Sequence, residues 1–187
     1  MAQTSGDATV LVVDDEEAVA DAYMAQLKAE YDTRTAYGGE EALATVEDDV
    51  DVVLLDRRMP DKSGDEVLER IHERGVDCRV VMVTAVDPDF DIVDMPFEDY
   101  LQKPTSRDEL FDVIEQQLVA SEYDQRVTEY IEVTTKLGLL EREKSTVELE
   151  DDEDVRRLRE RADRLRAELD DAVAKFDEPE DAFRDLL

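Results

Sequence analysis

Cysteine is almost missing: Cys78 is the single copy in 187 residues. No intrachain disulfide can form, and a reducing compartment fits. Cys78 stands at the start of an apolar strand and reads as a small core residue. Histidine is as scarce, with His72 alone on a polar helical stretch, a surface position. No apolar run approaches the ~20 residues that a membrane span requires. The first ten residues are polar, with no signal peptide to be read in them. These absences predict a cytoplasmic protein that does not associate with membrane.

Positive charge is the other shortage. There are 53 acidic residues against 22 basic ones, a formal charge of −31, and only six of the basic residues are lysine. Such a chain repels itself in dilute buffer, whereas at molar salt the screening length falls to about 3 Å. The acids are spread along the whole chain, and apolar periodicity persists between them, so a disordered acidic tail does not account for them. A salt-rich cytoplasm does.

What is present begins with short apolar runs. Residues 1–8 are small and polar and read as a flexible tail. Thr9–Val13 is the first strand, followed by a helix from Glu16 to about Ala29 with Ala18, Val19, Ala22, Tyr23 and Leu27 at helical spacing. Asp32–Tyr37 alternates as a second strand. Gly38-Gly39 turns the chain into a helix carrying Ala42, Leu43 and Val46. Val52-Val53-Leu54-Leu55 has the unbroken apolar pattern of a strand buried on both faces. A loop from Pro60 to Gly64 leads to a helix with Val67, Leu68 and Ile71, closed by Gly75. Arg79–Thr84 is the fourth strand. Pro88 and Pro96 leave room for one or two helical turns, and a fifth strand near Asp99–Leu101 precedes Lys103-Pro104. Ser106 and Glu109 form a capping box for a helix with Leu110, Phe111, Ile114 and Leu118. Strands alternating with helices predict an α/β fold, a five-stranded doubly wound parallel sheet over residues 9–120.

Beyond residue 120 the pattern is helical alone. Tyr123, Val127, Tyr130, Thr134, Leu137 and Glu141 follow a 4-3-4-3-4 spacing, and Val155, Leu158, Ala162, Leu165, Leu169, Ala172 and Phe176 form a second seam. Between them lies a polar stretch, Lys144–Asp154, with Ser145 and Thr146 as turn residues. Residues 121–187 therefore read as an antiparallel α-helical hairpin. Pro179 ends the second helix, and Phe183 and Leu186 offer a way for the last residues to fold back.

The chemistry-bearing residues sit at strand ends. Asp14-Asp15 follow the first strand and Asp56 follows the third, where open α/β sheets bind ligands. If those strands are neighbours, three carboxylates share one crevice and need a cation or a proton. An all-oxygen acidic cluster in a partly solvated cleft suits Mg²⁺.

Taken in order, Asp14-Asp15, Asp56, Met59-Pro60, Gly64, Thr84, Tyr100 and Lys103-Pro104 make residues 9–120 resemble the receiver domain of two-component response regulators. The resemblance implies a flavodoxin-like fold in which Asp56 is the phosphoacceptor, served by a histidine kinase. It implies that Asp15, Asp56 and the Arg58 carbonyl ligate Mg²⁺, with Asp14 acting through water. Lys103 would contact the phosphoryl oxygens, Thr84 would donate its hydroxyl to another, and Tyr100 would follow Thr84 as a switch. The Lys103–Pro104 peptide would be cis. Arg58 and Val86 would flank the path of attacking water and tune dephosphorylation. The chain departs from the family between Thr84 and Lys103, where the segment is shorter and its helix reduced.

Residues 121–187 resemble the HalX domain, found appended to receivers in halophilic archaea. The resemblance rests on Tyr130, Leu140-Glu141, Glu143-Lys144-Ser145, Glu148-Leu149 and the Leu158, Leu165, Leu169-Asp170 seam.

These readings lead to a response regulator whose output is protein–protein interaction or homodimerisation through the hairpin. The alternative is a DNA-binding transcriptional regulator using Arg156, Arg157, Arg159, Arg161, Arg164 and Arg166. Against it, residues 121–187 carry 22 acids and 12 bases, and no further helix follows at helix-turn-helix spacing. The arginines flank the second seam, where Glu122, Glu129 and Glu132 can face them. An enzyme is disfavoured, because the hairpin offers no histidine, cysteine or glycine-rich loop; slow loss of phosphate is the chemistry expected.

Overall fold

The computed structural model describes residues 8–144, 149 and 152–176. Its strands are β1 (Thr9–Val13), β2 (Asp32–Ala36), β3 (Val52–Leu55), β4 (Arg79–Thr84) and β5 (Asp99–Gln102). All pairings are parallel, and the order across the sheet is β2-β1-β3-β4-β5. The helices are α1 (Glu17–Leu27), α2 (Gly39–Thr45), α3 (Gly64–Arg74), α4 (Arg107–Glu143) and α5 (Glu153–Phe176), with a 3₁₀ turn at Phe90–Ile92.

Alternation along each strand divides the core into two layers. Val10, Val12, Val52, Leu54, Val81 and Val83 pack on Ala20, Tyr23 and Leu27 of α1 and on Leu110, Val113 and Ile114 of α4. On the other face Leu11, Val13, Val53, Leu55, Val80 and Met82 meet Ala42 of α2 and Val67, Leu68 and Ile71 of α3. Helices on both faces explain why β1, β3 and β4 lack a polar side. This is the doubly wound parallel sheet expected from the sequence.

Local signals fix the helix ends. Gly75 closes α3 at φ 65°, a left-handed conformation that costs glycine little. Ser106 Oγ accepts the Glu109 N–H, and the Ser106 N–H donates back to the Glu109 carboxylate at 2.7 Å, the expected capping box. A second box, Ser63 with Glu66, starts α3 and was not anticipated. Between the two prolines only the 3₁₀ turn at Phe90–Ile92 forms, one turn where two were allowed.

The chain divides into compact units at Val119/Ala120. That point lies inside α4, which runs unbroken from Arg107 to Glu143. The sequence has no glycine or proline from Thr105 to Leu137, so no residue stops the helix there. In the second unit α4 and α5 pack through buried Val133, Ala162 and Leu165, with Tyr130, Leu137 and Leu158 against them. Arg159 meets Glu141, Arg161 meets Glu129 and Arg126 meets Glu168. As numbers rise along α5 they fall along α4, so the pair is antiparallel.

Ala8, expected at the end of a loose tail, is fully buried, and its carbonyl accepts the Asp32 N–H at 3.0 Å. The rest of that tail, the Ser145 and Thr146 turn, and Pro179, Phe183 and Leu186 lie outside the described residues. Among the described residues no helix is long and apolar enough to cross a membrane.

Candidate functional site

The register of the central strands builds the site. Val13 of β1 pairs with Leu55 of β3, and the Asp56 N–H donates to the Val13 carbonyl at 2.9 Å. Asp14 and Asp56 therefore leave adjacent strands at one level, at the point where chain direction across the sheet reverses. Carboxylate oxygens of Asp14, Asp15 and Asp56 lie within 4.8 Å of one another, Asp15 being the most exposed of the three. Lys103, just past β5, donates to Asp14 Oδ2 at 2.5 Å and to Asp56 Oδ2 at 3.1 Å. The Lys103–Pro104 peptide is cis.

Burial pushes the Asp14 carboxyl above its ordinary range, opposed by hydrogen bonds from Lys103 and the Glu16 N–H. Desolvation works against the Lys103 charge, but its hydrogen bond to Asp14 and the Asp56 charge outweigh it, so its pKa is raised. Lys103 thus remains an ammonium at neutral pH. One ammonium does not balance three carboxylates, and the donors are all hard oxygens. The set fits a small divalent cation such as Mg²⁺, which tolerates a mixed shell of carboxylate and water.

The other expected residues surround this cluster. Thr84 ends β4 and is 1% exposed; its Oγ1 accepts the Val86 N–H at 3.4 Å. The Lys103 N–H donates to the Thr84 carbonyl at 2.9 Å, which ties the end of β5 to β4. The Tyr100 hydroxyl donates to the Val86 carbonyl at 2.6 Å, and its ring lies beside Phe97. Arg58 is exposed, while its N–H reaches Asp56 Oδ1 at 3.4 Å. Asp15, Asp56, Arg58, Thr84, Val86 and Lys103 line one cleft. Asp14 is linked to it by Lys103, and Tyr100 by Val86.

Residues 10–115 match the response regulator receiver domain family, and residues 119–187 match the HalX domain. The chain belongs to the response regulator receiver family. A protein of Haloferax volcanii, provisionally named a transcriptional regulator, is 48% identical over 172 residues, covering 91% of this chain and 29% of that protein. The transcriptional regulatory protein DltR of Streptococcus agalactiae is 36% identical over 106 residues, 54% of this chain and 47% of its own. The chain thus spans less than half the length of these relatives. A CheY-like receiver from Methanospirillum hungatei superposes with a TM-score of 0.59 at 27% identity, covering 63% of this chain and 98% of that one. TrrA of Thermotoga maritima, solved in complex with Mg²⁺-BeF, gives 0.51 at 30% identity, covering 59% and 98%.

One part of this receiver escaped the sequence reading. Arg57, directly after Asp56, is 8% exposed and lines the same cleft. It grips Asp65 in the first turn of α3 through Nε at 2.9 Å and Nη2 at 3.1 Å. The only signal was an opposite charge eight residues on. In an acid-rich chain that signal carries no weight.

Proposed function

We propose that this receiver accepts a phosphoryl group on Asp56 from a histidine kinase and relays the change through its HalX hairpin. The observation that supports this is the meeting of three strand-end carboxylates with the Lys103 ammonium over one cleft. An Asp56 oxygen would attack phosphorus as the P–N bond to the donor imidazole breaks, leaving the electron pair on nitrogen and forming an acyl phosphate. Such transfer depends on positioning and charge neutralisation. Asp15, Asp56 and the Arg58 carbonyl would hold Mg²⁺, with Asp14 reaching it through water. When bound, Mg²⁺ would neutralise charge on the phosphoryl oxygens. Lys103 would leave Asp14 and Asp56 for one phosphoryl oxygen, Thr84 would donate its hydroxyl to another, and Tyr100 would respond through the Val86 loop.

Under this proposal the protein works in the cytoplasm, where such kinases present their phosphohistidine. No catalytic turnover beyond slow hydrolysis of the acyl phosphate is assigned. Output through the hairpin is read as contact with a second copy or another protein. The relatives' names favour transcriptional regulation as the setting. Against direct DNA reading by α5, Arg156, Arg157, Arg159 and Arg161 each pair with a carboxylate of α4 or α5.

Mass analysis after treatment with a small acyl phosphate and Mg²⁺ tests the assignment. One phosphoryl group should be gained, and none by Asp56→Asn. Modification of Asp56→Asn would refute it.

A further inference from the structure

The loop between β3 and α3 is closed twice. The Gly64 N–H donates to the Arg57 carbonyl at 2.8 Å. A Cβ on Gly64 would come within 2.2 Å of the Asp56 carbonyl oxygen and 2.8 Å of the Arg57 Cα, so only glycine lets these backbones touch. Around that contact the Arg57 guanidinium holds both oxygens of Asp65. A planar guanidinium fixes such a carboxylate in position and orientation, which an ammonium does not. The next residue, Arg58, turns its side chain to solvent and its N–H to Asp56 Oδ1 at 3.4 Å.

The connections run in one line, from α3 through Asp65 and Arg57 to the Arg58 amide and so to the Asp56 carboxylate. Lys103 holds the other carboxylate oxygen, Oδ2, at 3.1 Å. Buried arginine is costly unless paired, and this one is spent at the lip of a cleft already rich in acids. Packing alone did not require it, since β3 and α3 meet through Leu55, Val67 and Leu68.

We propose that Arg57 is a positioning residue for the phosphoacceptor: clamped on Asp65, it fixes the loop whose Arg58 amide aims Asp56 Oδ1. Arg57 does not touch the reacting atoms and acts through its neighbour. The inference rests on the phosphoacceptor reading of Asp56, and its test separates the two.

The test compares wild type with Arg57→Gln, Asp65→Asn and the double variant, in molar KCl. Amide hydrogen exchange at residues 57–64 without Mg²⁺ reads the clamp whatever the function. Exchange should accelerate in all three variants, while the β1 and β4 amides keep wild-type protection. Mg²⁺ affinity by calorimetry and the rate of Asp56 phosphorylation by a small acyl phosphate should each fall about tenfold or more, the usual effect of losing an outer-shell partner. Losses in the double variant should match those in Arg57→Gln rather than the sum of the two single variants, because Asp65 acts through Arg57. Loop exchange that stays at the wild-type level would overturn the proposal. So would additive losses, or losses tracking a global fall in protection. A wild-type protein that takes up no phosphoryl group would refute the functional reading, while the exchange data still decide the clamp.

Discussion

Lys103 Nζ lies 2.5 Å from Asp14 Oδ2, nearer than its 3.1 Å approach to Asp56. The side chain of Asp14 is 2% exposed, so its charge is compensated mainly by this ammonium. Breaking a buried pair by removing one partner costs about 3–5 kcal/mol. Lys103→Met should therefore lower stability by roughly 3 kcal/mol in a chelating buffer. Added Mg²⁺ should restore part of that loss, since the carboxylates then have another counter-charge. Denaturant titrations with and without Mg²⁺ measure both effects. A variant as stable as wild type in chelator would show that the carboxylates do not depend on Lys103.

The sheet was legible because its strands are buried on both sides. Val52–Leu55 and Arg79–Thr84 admit no other reading at that length, and their ends deliver Asp56 and Thr84 to one edge. Single-residue helix boundaries such as Gly75, which ends α3, and Ser106, which starts α4, were legible because each has one local use. Three features were not. The unbroken α4 hides its passage from one compact unit to the other, since no glycine or proline between Thr105 and Leu137 marks the boundary. Val133, buried at 7% exposure in the hairpin, falls between the residues of the seam that spacing alone selects. Arg57 and Asp65 meet only because the Gly64 contact folds the loop back, and no periodicity reports such a closure.

Cys78 gives a pH-dependent prediction. Burial, with smaller contributions from Glu98 and Asp77, pushes its thiol up from 9.0 to about 12. The thiolate is the reactive form, so at pH 8 far less of it is present in the folded protein than in the denatured chain. Alkylation of the folded protein should therefore be many-fold slower than that of the denatured chain. The sign for stability follows. Below pH 9 the neutral thiol favours the fold, and this contribution is lost as pH rises toward 12. Timed labelling at pH 8, read by mass, checks it; equal rates folded and denatured would contradict the burial.

Arg58 and Val86 border the cleft from different loops, one side chain exposed and the other half-buried. If they hinder the water that attacks the Asp56 acyl phosphate, removing them shortens its lifetime. Arg58→Ala should speed hydrolysis, and the double variant with Val86→Ala should speed it further. A barrier lowered by about 1.4 kcal/mol reads as a tenfold faster loss. The decay of phosphorylated protein after removal of the phosphodonor provides the measurement. An unchanged rate in the double variant would assign the lifetime to other residues.

The hairpin decides between packing element and DNA reader. Leu165 is 2% exposed and touches the core made by Val133 and Ala162, whereas Arg161 reaches Glu129 at the surface. Truncating a buried leucine costs about 2–5 kcal/mol, an exposed ion pair at most about 1 kcal/mol. Leu165→Ala should therefore unfold or dissociate α4 and α5 at a denaturant concentration where Arg161→Ala and Arg164→Ala remain helical. If α5 read DNA, the order would reverse. Arginine substitutions would abolish binding with helicity intact, and affinity would fall steeply with salt as counterions compete. Titration of promoter-length DNA with phosphorylated protein in molar KCl separates these outcomes. Specific binding lost in Arg157→Ala with Arg161→Ala would make α5 the reader. A protein silent toward DNA, whose association state follows Leu165, would make it a packing surface.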